Sequence, residues 1–146
     1  MHTVRAIAVV ISNPLDTSLL LTVRRPDDDE HLPGVWGLPA TSIKDNESDH
    51  DAAYRLGTHK LGATITLDEV LVEGSQERAT QHLAMSLYSA TLDVESPKFP
   101  EPNDQIDGST YYTDWQWDRL ESLNPGATMG SLCCQLALQI NAKESM

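Results

Sequence analysis

One stretch of the sequence carries the side chains best suited to chemistry on a phosphate. These side chains are Glu47, Arg55, His59 and Lys60. An ammonium is a good point-charge partner for phosphate, whereas an imidazole nitrogen suits zinc, copper or nickel better than magnesium. Because residues i, i+3 and i+4 lie on one helix face, Leu56, His59 and Lys60 are predicted to share a face. Lys60, with His59, is therefore a candidate for direct phosphate binding.

The same cations also have purely structural interpretations. A lysine near a helix C-terminus, such as Lys60, is favoured by the helix dipole alone, and Arg55 could pair with Asp51 at i, i+4. Arg24 and Arg25 end an apolar run, where they could contact a substrate phosphate or simply form surface charge at a strand end. The sequence leaves both interpretations open.

Familiar catalytic motifs are missing from the sequence. There is no G-x-x-x-x-G-K-[ST] loop, no G-x-G-x-x-G, no C-x-x-C and no H-E-x-x-H. The histidines show no ligand spacing with the two cysteines, which argues against a zinc site. Trp36 and Trp115 could stack on a nucleobase, although packing inside the protein is the more common role of such residues.

The elements that would position these residues follow from local patterns. Ser48 is a predicted N-cap for a helix that runs to about Leu61 and ends at Gly62. Residues 4–11 and 18–23 read as a hairpin, and residues 65–73 and 83–92 as a strand pair around a polar turn at 74–80. Residues 111–117 are predicted to form a strand, and 118–123 a short helix that the turn residues 124–126 break. Ser131 caps a last helix, in which Cys133, Leu136 and Ile140 form an apolar stripe.

The prolines and acids of residues 96–110 predict a long, disordered loop. Its acids, with two from the strand pair, are the candidates to rebuild a metal site, and all of them also suit plain solvation. These acids are Glu73, Glu77, Glu101, Asp104 and Asp107.

Composition narrows the class of protein. The 146 residues suit one domain, residues 1–146, and the net charge of −12 opposes binding to nucleic acid. No apolar run reaches the roughly 18 residues of a membrane span, and no signal peptide is visible, so we expect a cytoplasmic protein. Adjacent Cys133 and Cys134 are expected to be reduced thiols that act as small core hydrophobes.

The order of these features resembles the Nudix (MutT-like) hydrolase family. Two strands lead to a loop ending in the sequence LPGVWGLP, followed by the capped helix that ends at Gly62. The family signature is G-x5-E-x7-R-E-U-x-E-E-x-G-U, with U a bulky aliphatic residue, and this chain aligns with it without gaps. Glu47, Arg55 and Gly62 match outright. The opening hairpin and the late segment WQWDRL resemble the family as well.

The resemblance implies an α+β fold, an α/β/α sandwich with a mixed sheet between helices. It also implies a loop–helix–loop whose glutamates hold a divalent metal against a diphosphate. Here that signature is degenerate: Leu56, His59 and Lys60 fall where three of the glutamates belong, and Thr41 replaces its first Gly. Glu47 alone would be a poor metal ligand set, because Mg²⁺ prefers several hard oxygen ligands.

Three functional hypotheses follow. The first is a protein that binds a nucleotide or another diphosphate-containing ligand with little or no hydrolysis, through Arg24, Arg25, His59 and Lys60. The alternative is a divergent pyrophosphohydrolase for nucleoside-diphosphate-linked compounds that uses Mg²⁺ or Mn²⁺, with Glu47 as metal ligand and catalytic residue beside Arg55. A third option is an interaction module or homodimer with a vestigial cleft.

Overall fold

The computed structural model describes residues 2–29, 32–99 and 112–144, the last four by backbone only. The strands are β1 (His2–Asn13), β2 (Asp16–Arg24), β3 (Trp36–Gly37), β4 (Ala40–Ser42), β5 (Ile65–Glu77), β6 (Gln81–Leu92) and β7 (Asp114–Asp118). The α-helices are α1 (Asp49–Leu56), α2 (Asn124–Thr128) and α3 (Leu132–Glu144). A π-helical turn, Gly57–Leu61, continues α1, and a 3₁₀ turn, Leu120–Leu123, precedes α2.

The strands form one mixed sheet in the order β3-β2-β1-β6-β5. β1 pairs antiparallel with β2, as the hairpin pattern predicts, and parallel with β6. β4 adds to β1 and β7 adds to β2, both antiparallel. β1 is therefore the central strand, which pairs with β2, β4 and β6.

β1 is buried on both faces, and its alternation divides the core in two. Ala6 and Ala8 face a cluster built with α3, including Leu136 and Ala137. Ile7, Val9 and Ile11 face a second cluster built with the buried residues of α1, which are Ala52, Ala53 and Leu56. Because successive side chains of a strand point to opposite faces, one strand supplies both cores. The result is the predicted α/β/α sandwich.

The start of α1 and the end of the π-helical turn follow local rules. The Ser48 hydroxyl accepts a hydrogen bond from the Asp51 N–H, as predicted for the N-cap. Gly62 takes a φ of +62°, and a Cβ there would lie 2.0 Å from the Lys98 carbonyl oxygen. Gly57 sits where a Cβ would lie 2.4 Å from the Ala63 carbonyl oxygen. The chain therefore needs glycine at both positions for close packing.

Several predicted boundaries differ from the structure. β5 extends through Glu77 and β6 starts at Gln81, because the polar segment 74–80 continues the strand pairing until its last residues. Asn124 and Pro125 do not break the chain into a turn; they start α2, where a proline lacking its N–H is tolerated in the first turn. The predicted stripe on α3 is confirmed, with Cys133 and Leu136 buried. Most of the predicted loop at 96–110 lies outside the described residues.

Candidate functional site

A cavity of about 300 Å³ opens between the sheet, the π-helical turn and the N-terminus of α3. Its floor is formed by cross-strand neighbours of β1 and β6. Val4 pairs with Leu83 and Ala6 pairs with Met85 in the parallel register. All four side chains point the same way, because alternate residues of paired strands share a face. This floor offers an apolar surface to the non-polar part of a ligand.

The rim of the cavity carries positive charge. Arg25 follows β2, Lys60 belongs to the π-helical turn, and Arg78 lies in the turn between β5 and β6. Among the described residues that line the cavity, none is an aspartate or glutamate. The first residues of α3 also form part of the wall, and the positive end of a helix dipole adds to the same potential. The cavity is therefore suited to an anionic ligand.

Lys60 is held in this wall by Ala40 and Tyr112. The residue is only 6% exposed, and its ammonium Nζ donates to the Ala40 carbonyl oxygen at 3.0 Å. Nζ also lies 5.3 Å from the centre of the Tyr112 ring, within cation–π range. Burial raises the pKa of Tyr112 to about 12, so the phenol stays protonated.

Arg25 and Arg78 are oriented by polar partners. The Arg25 Nε lies 3.2 Å from the Asp29 carboxylate, whose side chain is nearly buried. The Arg78 Nε donates to the Gln76 side-chain oxygen at 3.0 Å. Gln76 is in turn anchored, because its amide nitrogen donates to the Gly130 carbonyl at 3.0 Å. Each guanidinium is thus positioned by a polar neighbour.

Cys133 places a thiol on the cavity wall. Hydrogen bonds from the Cys134 thiol, the Ser131 hydroxyl and the Leu38 N–H lower the pKa of the Cys133 thiol against the opposing effect of burial, and Arg25 adds a favourable charge. The Ser131 oxygen lies 3.4 Å from the Cys133 sulfur. The pKa of Cys134 is raised by the same thiol–thiol hydrogen bond and by burial. Both cysteines are free and buried, consistent with the prediction of reduced thiols.

Glu47 and Arg55 form an ion pair that does not line the cavity. The Arg55 Nε donates to Glu47 Oε2 at 3.0 Å, and Nη2 donates to Oε1 at 2.9 Å. The sequence left open whether Arg55 pairs with Asp51 or with a site residue, and in the structure its guanidinium binds Glu47. These hydrogen bonds hold the pKa of the Glu47 carboxyl below its usual range.

The remaining predicted site residues are dispersed. Leu56 is fully buried in the core cluster behind α1, and His59 is half-buried and does not line the cavity. Of the predicted common face of Leu56, His59 and Lys60, only Lys60 lines the cavity, and the turn that carries His59 and Lys60 is π-helical rather than α-helical. Arg24 also lies off the cavity, where it contacts Asp27.

Neither tryptophan that could stack on a base lies in the cavity. Trp36 uses its carbonyl oxygen as acceptor for the Cys134 thiol, and Trp115 packs against the core cluster behind α1. Of the acids proposed to rebuild a metal site, Glu73 is an exposed residue of β5, and Glu77 contacts His82. Glu101, Asp104 and Asp107 lie outside the described residues.

Sequence reasoning found Arg25 and Lys60 but missed three other cavity residues. Arg78 falls in a segment interpreted as a polar turn, Tyr112 in a predicted strand, and Cys133 in an apolar stripe. No short-range pattern marks these residues as a group, because the fold brings them together from distant parts of the chain. Of the three, only Cys133 carried a signal in the sequence, because it lies two residues after Ser131, the predicted cap of the last helix.

The donors among the described residues do not fit the divalent metal that Nudix hydrolases use. Glu47 is committed to Arg55, Leu56 is a core residue, and Lys60 places an ammonium on the cavity wall. Within residues 2–29, 32–99 and 112–144, no group of three or more His, Cys, Asp or Glu side chains could hold a metal ion. No helix in the same part of the chain is long and apolar enough to cross a membrane.

The sequence matches the family described as NUDIX domain over residues 1–130. Since the match covers most of the chain, the protein belongs to the Nudix family. A search of curated protein sequences finds no match.

Solved structures agree on the fold. The MutT protein from Methanosarcina mazei Go1 superposes with a TM-score of 0.77 at 15% identity, covering 99% of this chain and 97% of its own. For the E. coli ORF135 protein the values are 0.70 and 16%, with coverage of 98% and 94%. A C. elegans Ap4A hydrolase gives 0.65 and 14%, with coverage of 99% and 98%. At these identities the likeness establishes the α/β/α sandwich.

Proposed function

We propose that this Nudix protein binds a nucleotide or another diphosphate-containing ligand in its cationic cavity, with little or no hydrolysis. The observation that carries the proposal is the cavity wall itself: Arg25, Lys60 and Arg78 line it, and no described lining residue is a carboxylate. Guanidinium and ammonium groups form strong charge-assisted hydrogen bonds with phosphate. The apolar floor of β1 and β6 would take the organic part of the ligand.

Weak or absent hydrolysis follows from the side chains that replace the family's glutamates. Cleavage of a diphosphate by a divalent metal needs ligands that hold the ion against the phosphate oxygens. Leu56 contributes no ligand, and Lys60 repels a metal cation. Mg²⁺ or Mn²⁺ would enter only under the alternative hypothesis, in which Glu47 and acids from the loop beyond Phe99 hold the ion.

The test is binding and turnover measured on the same preparation. ADP and ADP-ribose are titrated into the purified chain by calorimetry, and the products are separated by chromatography after incubation with Mg²⁺ or Mn²⁺. We expect binding without turnover above the protein-free rate. Turnover that disappears in Glu47→Gln but not in the exposed control Glu69→Gln would overturn the proposal in favour of the pyrophosphohydrolase. Failure of both nucleotides to bind would also overturn it and favour an interaction module.

A further inference from the structure

Lys60 is a buried cation with a fixed position rather than a surface lysine. A buried ammonium is costly unless other groups compensate for its lost hydration. Here the compensation includes the Ala40 carbonyl at 3.0 Å and the face of the Tyr112 ring at 5.3 Å. The same residue lines the cavity. A buried cation at the wall of a cleft is a candidate for a residue that acts on a ligand.

One peptide group fixes the geometry around this ammonium. The Tyr112 hydroxyl accepts a hydrogen bond from the Ala40 N–H at 3.0 Å and donates to the Ala40 carbonyl oxygen at 3.2 Å. That carbonyl also accepts from the Lys60 ammonium. Strand β4, the π-helical turn and the segment that leads into β7 are therefore joined at one point. Such preorganisation keeps a charge in place before the ligand arrives.

The charge has the sign of a metal ion and lies on the element that carries metal ligands elsewhere in the family. Lys60 aligns with a glutamate of the family signature, and the resemblance assigns those glutamates to holding a divalent metal against diphosphate. A carboxylate there recruits a cation from solution, whereas a lysine brings the cation with it. Arg25 and Arg78 add further positive charge on other walls of the same cavity.

We propose that the Lys60 ammonium replaces the divalent metal in this protein, so that the cavity binds the metal-free form of a nucleoside diphosphate. This inference rests on the proposed function and specifies its ligand. Magnesium complexation neutralises part of the diphosphate charge that Lys60, Arg25 and Arg78 would contact. Added Mg²⁺ should therefore weaken binding, whereas it strengthens binding wherever carboxylates and a metal share the site.

The experiment is calorimetric titration of the full-length chain with ADP, in EDTA and in excess MgCl₂ at matched ionic strength. In EDTA we expect tighter binding than in MgCl₂, by severalfold. Lys60→Met should weaken binding in EDTA by about tenfold, which corresponds to about 1.4 kcal/mol. Lys98→Met, at an exposed lysine that does not line the cavity, is the matched control and should bind as the wild type does.

A second variant, Lys60→Glu, should reverse the effect of divalent metal on ADP binding. It restores the residue type of the family signature and should abolish binding in EDTA while making binding dependent on Mg²⁺ or Mn²⁺. Circular dichroism and thermal melting establish that each variant is folded, and the wild-type comparison of EDTA with MgCl₂ needs no variant. Wild-type binding that requires Mg²⁺ would overturn this inference and leave the proposed function standing. Absence of binding under both conditions would overturn the proposed function itself.

Discussion

The Arg55 guanidinium donates two hydrogen bonds to the Glu47 carboxylate, from Nε to Oε2 at 3.0 Å and from Nη2 to Oε1 at 2.9 Å. Both side chains are largely buried, at 11% and 14% exposure. The same guanidinium donates to the Thr41 hydroxyl and the Ser42 carbonyl, at 3.2 and 2.6 Å. The pair therefore fastens α1 to β4, the strand whose Ala40 holds Lys60.

Glu47→Gln is expected to destabilise the fold by about 1–3 kcal/mol at pH 7, because it removes the charge from a hydrogen-bonded, partly buried pair. The folded-state pKa of Glu47 is lowered, so its stabilisation is present above the unfolded-state value of about 4.3 and is lost as pH falls through the folded-state value. Urea unfolding between pH 7 and about pH 3 checks this. The wild-type advantage should shrink steadily towards acid.

The exposed Glu69 supplies the control for this prediction. Glu69→Gln should change the free energy of unfolding by no more than about 0.5 kcal/mol, as surface substitutions usually do. A difference between wild type and Glu47→Gln that stays constant over the whole pH range would contradict the structural role assigned to the pair.

Two substitutions of Tyr112 should distinguish its contribution to protein stability from its role in positioning Lys60. Tyr112→Phe removes the hydroxyl that bonds both polar groups of Ala40, which should cost about 1–3 kcal/mol of stability. It keeps the ring next to the ammonium and leaves the Ala40 carbonyl as acceptor for Lys60, so ADP affinity in EDTA should change little. Tyr112→Leu removes the ring as well and should weaken ADP binding, measured by calorimetry. Equal affinities for the Phe and Leu variants would show that the ring does not position Lys60.

Much of the fold could be predicted from local sequence patterns. The apolar runs around the first turn predict the hairpin, and Ser48 predicts the start of α1, since both depend on neighbouring residues. The parallel pairing of β1 with β6 could not be predicted in the same way. It joins Val4 to Leu83, and nothing within either strand specifies a partner so distant in sequence. The α/β/α sandwich was predicted from the family resemblance, because local patterns do not determine how the strands and helices pack together.

The site was less predictable than the fold. Lys60 was found because it falls where the family signature has a glutamate, and Arg25 because it ends the apolar run of the opening hairpin. The helix was predicted to stay α-helical through Gly57, where the structure has a π-helical turn, and of Leu56, His59 and Lys60 only Lys60 lines the cavity. Tyr112 reaches the site only through tertiary contacts, which no spacing rule contains.

Gly57→Ala tests whether close packing against Ala63 and Ile65 requires glycine at the start of the π-helical turn. Helix propensity alone predicts a gain of up to about 1 kcal/mol in stability for alanine over glycine. The structure predicts the opposite, because the new Cβ would lie 2.4 Å from the Ala63 carbonyl oxygen and 3.1 Å from the Ile65 backbone nitrogen. A loss of about 1–3 kcal/mol is expected, measured by denaturant unfolding. A stabilised variant would mean that the turn relaxes without cost.

The Cys133 thiol provides a chemical probe of the cavity. Its pKa is lowered by hydrogen bonds from Cys134, Ser131 and the Leu38 N–H, and Arg25 lies close enough to contribute. A lowered pKa means that the thiolate, the reactive form, persists to lower pH than for an ordinary thiol, whose pKa is about 8.5. Iodoacetamide labelling of the native protein should therefore rise with pH through a midpoint below that value.

Mass spectrometry of the labelled protein distinguishes the two cysteines. Cys133 should be modified first, and Cys134, whose pKa is raised and which is fully buried, should stay unmodified until the protein unfolds. Ser131→Ala removes one hydrogen bond to the thiolate and should shift the midpoint upwards, whereas Cys133→Ser should abolish native-state labelling. ADP added in EDTA should slow labelling because Cys133 lines the cavity with Lys60. Labelling that ADP leaves unchanged, at a concentration that saturates binding by calorimetry, would place the nucleotide elsewhere on the protein.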